Sequence, residues 1–258
     1  MRLSETVGKG VAILDVLAHE PYDLTISEVG AAVGLDRTTA YRLLETLVEA
    51  RLLVRDPQSR RYRLGLRLLD YANAVRDRLE VRHVALSHLL DLQQELDAQP
   101  ALSRATMVAL LDNVEVVLVE VLGISAPRTD LTRRTRIPAH ISASGRCLLA
   151  HLDAEDLTAR LESIYANGPS GDGFHTREWV ERELEAIRER GYGVSDREVG
   201  SNTRALAVPV LARSGAPLAA VGIVVRPTTT TLEELVDRYA APMLSIAERI
   251  SVALRYRS

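Results

Sequence analysis

The stretch from Thr25 to Leu64, TISEVGAAVGLDRTTAYRLLETLVEARLLVRDPQSRRYRL, constrains the fold more than any other part of this chain. Within it, Ala40, Leu43, Leu44 and Leu47 recur at i, i+3, i+4 and i+7, the apolar stripe of one helix. Asp36 stands where an N-cap belongs, just behind Gly34, a residue free to turn the chain. Upstream, Thr25 and Glu28 have the spacing of a capping box, which starts a short helix that ends near Gly34. Val7 to Ala18 predicts a preceding helix with Val7, Val11, Leu14 and Leu17 on one side. Three short helices, the last two joined by a tight turn, give a helix-turn-helix. Leu52–Arg55 and Arg61–Leu64 then read as extended segments around the turn cluster Asp56-Pro57-Gln58-Ser59, a two-stranded wing.

The chain carries a formal charge of -3, so no global basicity points to nucleic acid. Locally the balance reverses. Between residues 36 and 63 seven arginines stand against four carboxylates, the field a phosphate backbone attracts. On the third helix Arg37, Thr38, Thr39, Tyr41 and Arg42 lie near the N-terminal end, which enters the major groove in helix-turn-helix proteins. Arg42 is suited to guanine; Thr38 and Thr39 suit a thymine methyl or a phosphate; Tyr41 suits the backbone. Ser27 at the head of the capped helix, and Arg60, Arg61 and Arg63 on the wing, complete the expected DNA-binding set. Glu45 and Glu49 are placed on the same outer face, which limits close approach to the first two turns.

After the wing, Leu68, Ala72, Val75 and Leu79 form a narrow 4-3-4 stripe over residues 66–80, the pattern of a helix that packs on another helix. This predicts a linker that also dimerises. A further helix covers about His83 to Leu96. Ala105 to Val121 reads as a hairpin about Asp112-Asn113. Helices are expected from Ser142, over Asp153–Tyr165, over Thr176–Arg190 with a stop at Gly191, and from a second capping box at Thr231 and Glu234. TRALAVPVL and APLAAVGIVV are apolar strands joined by Ser214-Gly215. Strands and helices without strict alternation make this part α+β.

At 258 residues with 47% apolar composition, the chain has room for two domains. No run is long and apolar enough to span a membrane, no secretory h-region is visible, and a single cysteine excludes an internal disulfide, so the cytoplasm is the expected compartment. The six histidines show no metal-ligand spacing, and no cofactor motif is present; neither metal nor cofactor is expected. A second constellation is RIPAHISASGRCLLAHL, residues 136–152. A helix starting at Ser142 offers free amides and a partial positive charge to a carboxylate, and the small Ala143, Ser144 and Gly145 admit a ligand to the backbone. SASG is not a G-x-S-x-G nucleophile elbow, and no base is identifiable for Ser142 or Ser144.

Over nearly its whole length the chain resembles the IclR-type bacterial transcriptional regulators. The resemblance is carried by AILDVLA, TISEVGAAVGLDRTTAYRLLETLVEARLLVR, YRLGLRLLDYA, IPAHISASGRCLLA, ERGYGVSDRE and RALAVPVLARSGAPLAAVGI, in the family's order. It implies a winged helix-turn-helix domain (1–65), a linker and dimerisation helix (66–81) and a GAF-like effector domain with an antiparallel sheet (82–258). It also implies a homodimer or dimer of dimers that represses or activates a catabolic operon. Amides at the ISASG turn hold the effector's carboxylate in such proteins, which carries over to Ala143, Ser144 and the adjoining Gly145; a polar loop position falls on Ser195 or Asp196; and Thr203, Ala205, Gly222 and Val224 match further pocket positions. Members that bind small keto and hydroxy acids tend to have Cys at the position of Ala205 and Ser at those of Gly222 and Val224, so this pocket is expected to be less polar. DREVGSNTRALAVP resembles the branch that senses aromatic acids of the β-ketoadipate routes.

The expectation is therefore a regulator, not an enzyme, that binds double-stranded operator DNA and is modulated by a small carboxylic or aromatic acid. The rival reading is a small-molecule sensor, or a hydrolase using the Ser142/Ser144 region.

Overall fold

The computed structural model describes residues 4–97, 104–123, 136–166, 175–200 and 202–256. The chain forms two compact units, Met1–Arg78 and Leu79–Ser258.

In the first unit α1 (Glu5–His19), α2 (Ile26–Val33) and α3 (Arg37–Glu49) precede a hairpin of β1 (Leu53–Arg55) and β2 (Tyr62–Leu64), followed by α4 (Arg67–Arg76). Both sides of the Thr25/Glu28 capping box are made, and Gly34 closes α2 in the left-handed conformation at φ 71°. Asp36 accepts the amides of Thr38 and Thr39 to start α3. The strands pair antiparallel, Leu53 with Leu64 and Arg55 with Tyr62, and Leu24 adds a bridge to Tyr62 on the outer side. Ile13, Leu17, Leu24, Val29, Leu44, Leu53 and Tyr62 form the core. Two expectations need correction. On α1 the buried side is Ile13 and Leu17, while Val7 and Val11 are 65% and 51% exposed. The helix after the wing does not run unbroken to Glu80: it stops at Arg76, and a new helix begins at Glu80.

The second unit holds α5 (Glu80–Asp97), β3 (Arg104–Asp112), β4 (Glu115–Leu122), β5 (Arg136–Pro138), a 3-10 turn (Ala139–Ile141), α6 (Ala143–Ala150), α7 (Ala154–Tyr165), α8 (Arg177–Arg190), β6 (Gly193–Asp196), β7 (Arg204–Leu211), β8 (Pro217–Val225) and α9 (Leu232–Arg255). Among the described residues the six strands form one sheet in the order β5-β4-β3-β8-β7-β6, every neighbour antiparallel. β5 and β6 are edge strands that the hydrophobic pattern does not announce. The period-2 alternation of β7 and β8 sorts the two faces by size. Leu206, Val208, Val221 and Ile223 pack under α5 and α9, with Met243, Ile246 and Ile250. Ala205, Ala207 and Ala220 face α6 and α8, with Cys147, Leu148, Leu184 and Ile187. Small residues on that side let α6 lie close to the sheet, and all eight of its residues are buried. Among the described residues no helix is long and apolar enough to cross a membrane.

Candidate functional site

The first site is the outer face of α3 with the wing. Arg37, Thr38, Tyr41 and Arg42 are exposed together, as their spacing requires, and Ser27 is exposed on α2. Thr39 is different. Its hydroxyl donates to Asp36 Oδ2 at 2.6 Å while its amide serves the same carboxyl, so its proton is committed to the cap and is not available to a phosphate. The Thr39 hydroxyl, with the amides of Thr39 and Thr38, holds the Asp36 carboxyl below the ordinary carboxylate range. Glu45 does not belong to the outer face: it accepts from the Tyr62 hydroxyl at 3.1 Å and lies 3.6 Å from Arg55, tying α3 to the wing.

The wing arginines divide. Arg61 donates to the Asp23 carbonyl at 2.7 Å and pairs with Glu28 at 3.1 Å, and Arg63 pairs with Asp23 at 3.2 Å. Arg60 stands at the exposed tip at φ 55°, behind a turn in which Asp56 accepts from Gln58 and Ser59. Arg37, Arg42 and Arg60 pair with no carboxylate among the described residues, so their charges are not spent within the protein.

The second site is a small pocket between the sheet and the start of α6, with about 290 Å³ of empty space when its open mouth is included. Of the nine expected effector contacts, Ala143, Ser144, Ser195, Thr203, Ala205 and Val224 line it. The other three are turned elsewhere for identifiable reasons. Gly145 faces the 3-10 turn, where a Cβ would lie 2.3 Å from the Ala139 Cα and carbonyl oxygen. Asp196 is held by Arg204 through paired contacts of 3.0 and 2.7 Å. Gly222 lies beneath Met107, whose Cε would sit 2.8 Å from an added Cβ. Met107, Ile137, Ser142 and Val199 line the cavity without having been singled out as effector contacts from the sequence. Ile137 and Met107 had a faint signal, an apolar residue beside the ISASG turn and one in the strand neighbouring Gly222.

The Ser142 hydroxyl caps α6 by accepting the Gly145 amide at 3.1 Å. The amides of Ala143 and Ser144, at the first helical positions, have no intrahelical acceptor. Ser144 is 1% exposed and its Oγ has no hydrogen-bond partner. Apolar Met107, Ile137, Val199, Ala205 and Val224 make the remaining walls. A buried unpaired hydroxyl is costly, and this one belongs to a residue that lines the cavity. Behind the cavity, burial pushes the His140 imidazole below its ordinary value, with Arg146 and His175 adding to the effect. Burial pushes the Cys147 thiol up to about 12, and that thiol donates to the Ala207 carbonyl at 3.1 Å.

A capped helix with exposed arginines, a wing, and a separate unit holding a small-molecule cavity define a ligand-responsive DNA-binding regulator. Comparison with known proteins gives it a family. The profile described as IclR helix-turn-helix domain matches residues 6–57, and that described as bacterial transcriptional regulator IclR C-terminal matches residues 73–252. The chain belongs to the IclR family of bacterial transcriptional regulators and is a regulator rather than an enzyme, which sets aside the hydrolase reading of Ser142 and Ser144. It is 28% identical over 251 residues to the HTH-type transcriptional regulator KipR of Bacillus subtilis, covering 96% of this chain and 97% of that one. A transcriptional regulator from Rhodococcus sp. RHA1 superposes with a TM-score of 0.81 at 27% identity, covering 99% of this chain and 100% of that one. An IclR homolog of Microbacterium hydrocarbonoxydans, solved in complex with 4-hydroxybenzoate, gives 0.76 at 26% identity, covering 98% and 100%.

Proposed function

We propose that this regulator acts in the cytoplasm on operator DNA, read by Arg37, Thr38, Tyr41 and Arg42 and gripped by Arg60, and that a small organic acid in the α6 cavity modulates that binding. The observation that carries the effector reading is the buried, unpartnered Ser144 hydroxyl beside the free amides at the start of α6. Apolar walls beside those amides suit a carboxylate on an apolar body, with the acid at the amides. The 4-hydroxybenzoate bound by the Microbacterium homolog supports the aromatic choice. Residues 1–65 act as the DNA-binding domain, 66–81 as linker and 82–258 as effector domain. The regulator works as a homodimer or dimer of dimers, because α4 buries none of its own residues and exposes Leu69, Tyr71 and Val75, with Leu66 just before it, as a surface for a second copy.

The test is a titration of the chain against its own upstream DNA with and without 4-hydroxybenzoate, beside a thermal-shift series of aromatic and aliphatic acids. Arg42→Ala is expected to cost about 1–3 kcal/mol on the operator and to relax specificity at one base pair. Absence of preference for any promoter fragment over bulk DNA, or unchanged melting with every acid, refutes the corresponding half.

A further inference from the structure

We propose that Arg146 is the positioning residue of the effector cavity: one buried guanidinium draws together three separate segments whose neighbouring residues line it. This rests on the reading that the cavity takes the effector. Arg146 lies on α6, is 1% exposed and does not itself line the cavity. Its Nη1 donates to the His140 carbonyl at 3.2 Å, on the turn that leads into Ser142. Its Nη2 donates to the Val194 carbonyl, next to Ser195 on β6. The fork reaches both oxygens of Glu198, at 2.5 and 3.3 Å, and Glu198 precedes Val199. Each anchor therefore stands within two residues of a lining residue, and the anchors come from the 3-10 turn, β6 and the loop after β6.

The charge on Glu198 is the part that makes the clamp specific. A guanidinium removed from water needs a carboxylate and further acceptors, which here serve Nη1 and Nη2 while the buried Nε has none, and a planar fork can serve several acceptors at fixed angles. Glu198 is also approached from the segment just before α8: His175 Nε2 lies 3.3 Å from Oε2, and the His175 ring stacks on Trp179 of α8 at 3.6 Å between centroids. The Trp179 ring is 5.3 Å from the Arg146 guanidinium carbon. Glu198 is thus held by α6 beside His175 at the head of α8, and Val199 is held over the cavity with it. Loss of the charge frees the loop and the β6 edge while leaving the α5/α9 side of the sheet, which Arg146 does not touch, as it was.

The test compares the full chain with its Glu198→Gln and Glu198→Asp variants by hydrogen exchange, without ligand. In Glu198→Gln the amides of Gly145, Ser195 and Arg197 are expected to exchange about ten-fold faster or more, with those of α5 and α9 unchanged. Glu198→Asp keeps the charge on a shorter arm and is expected to fall between. Unchanged exchange at those amides, or an even rise throughout residues 79–258, overturns the proposal, the latter because it marks general loss of stability. In a second arm 4-hydroxybenzoate is titrated into each protein, and its affinity is expected to drop about ten-fold or more in Glu198→Gln with partial recovery in Glu198→Asp. Affinity that stays level while exchange rises also overturns it. Failure of the unsubstituted chain to bind this acid counts against the effector reading, while the exchange measurement still decides the clamp.

Discussion

Gly145→Ala tests whether α6 is seated against the 3-10 turn as closely as the structure shows. An added Cβ would lie 2.3 Å from the Ala139 Cα and carbonyl oxygen and 2.6 Å from its carbonyl carbon. Ordinary contact begins at 3.4 Å, so the turn and the helix must separate by about 1 Å. Both partners are backbone, so no rotamer change relieves the overlap. Insertion of one methyl group into a packed site of this kind costs about 1–3 kcal/mol. With a urea slope of about 2 kcal/mol/M, the unfolding midpoint drops by roughly 1 M. Trp179 is the only tryptophan and lies on α8, so its fluorescence reports the second unit alone. The same displacement carries Ser142 and Ser144 off their positions, so an acid that raises the melting point of the parent is expected to raise that of the variant less. A midpoint within about 0.2 M of the parent, with the ligand shift intact, would refute the close backbone seating and the cavity geometry built on it.

Arg60→Ala is expected to weaken every DNA sequence alike and to lower the salt slope by about one unit, measured by binding across a salt series; a sequence-selective loss contradicts this. The depressed carboxyls of Glu28, Asp36 and Asp56, each held by local hydrogen-bond donors, contribute stability that is fully present above the ordinary carboxylate range and is lost as pH falls through their lowered values. Thermal melts of the Asp36→Asn variant, which keeps a cap oxygen but does not titrate, should show a flatter dependence on acid than the parent. Cys147, buried with its thiol raised to about 12, is expected to resist a thiol reagent at about pH 8 until the second unit unfolds; fast labelling of the native chain would contradict its burial.

What the sequence displayed was mostly what is decided within a few residues, although the buried side of α1 and the break after Arg76 escaped it. The Thr25/Glu28 and Thr231/Glu234 capping boxes, the Asp36 and Thr176 caps and the Gly191 stop are local bargains between a side chain and the next turn, and each forms as its spacing requires. The hairpin around Asp112 and the paired strands before and after Gly215 follow from patterning and turn chemistry. Features joined across long separations were not visible. β5 and β6 are three and four residues long and exist as strands because β4 and β7 offer them an edge. Glu45 and Arg61 read as outward charges from helical and turn spacing, yet their partners lie 17 and 33 residues away. The same holds for Gly145, matched by family likeness to a ligand contact, whose close packing on the turn six residues upstream was not visible. Arg146 had one discernible signal: an arginine inside a short helix of small and apolar residues needs a distant carboxylate if that helix is buried.

The enclosure of α6 bears on how an effector can act at all. A ligand shifts an equilibrium only by binding two arrangements of the protein unequally. A helix with one face in water can absorb a ligand by a small outward movement that no other element notices. α6 has no such face, since all eight of its residues are buried. Cys147 is bonded to the Ala207 carbonyl on β7, Gly145 rests on Ala139, and Arg146 holds Val194 and Glu198. A close-packed interior transmits displacement rather than dissipating it. Occupation at Ser144 that moves α6 must therefore move β7, the 3-10 turn or the β6 loop with it, or else break one of these contacts. The small residues Ala205, Ala207 and Ala220, which let α6 approach the sheet, would thus also couple the sheet to a ligand-driven movement of α6. Ala207→Val should separate the two functions of that contact: it wedges α6 from β7, so an acid that still binds should alter operator affinity less than in the parent, whereas a fully retained response in a binding titration would place the route through the turn or the loop instead.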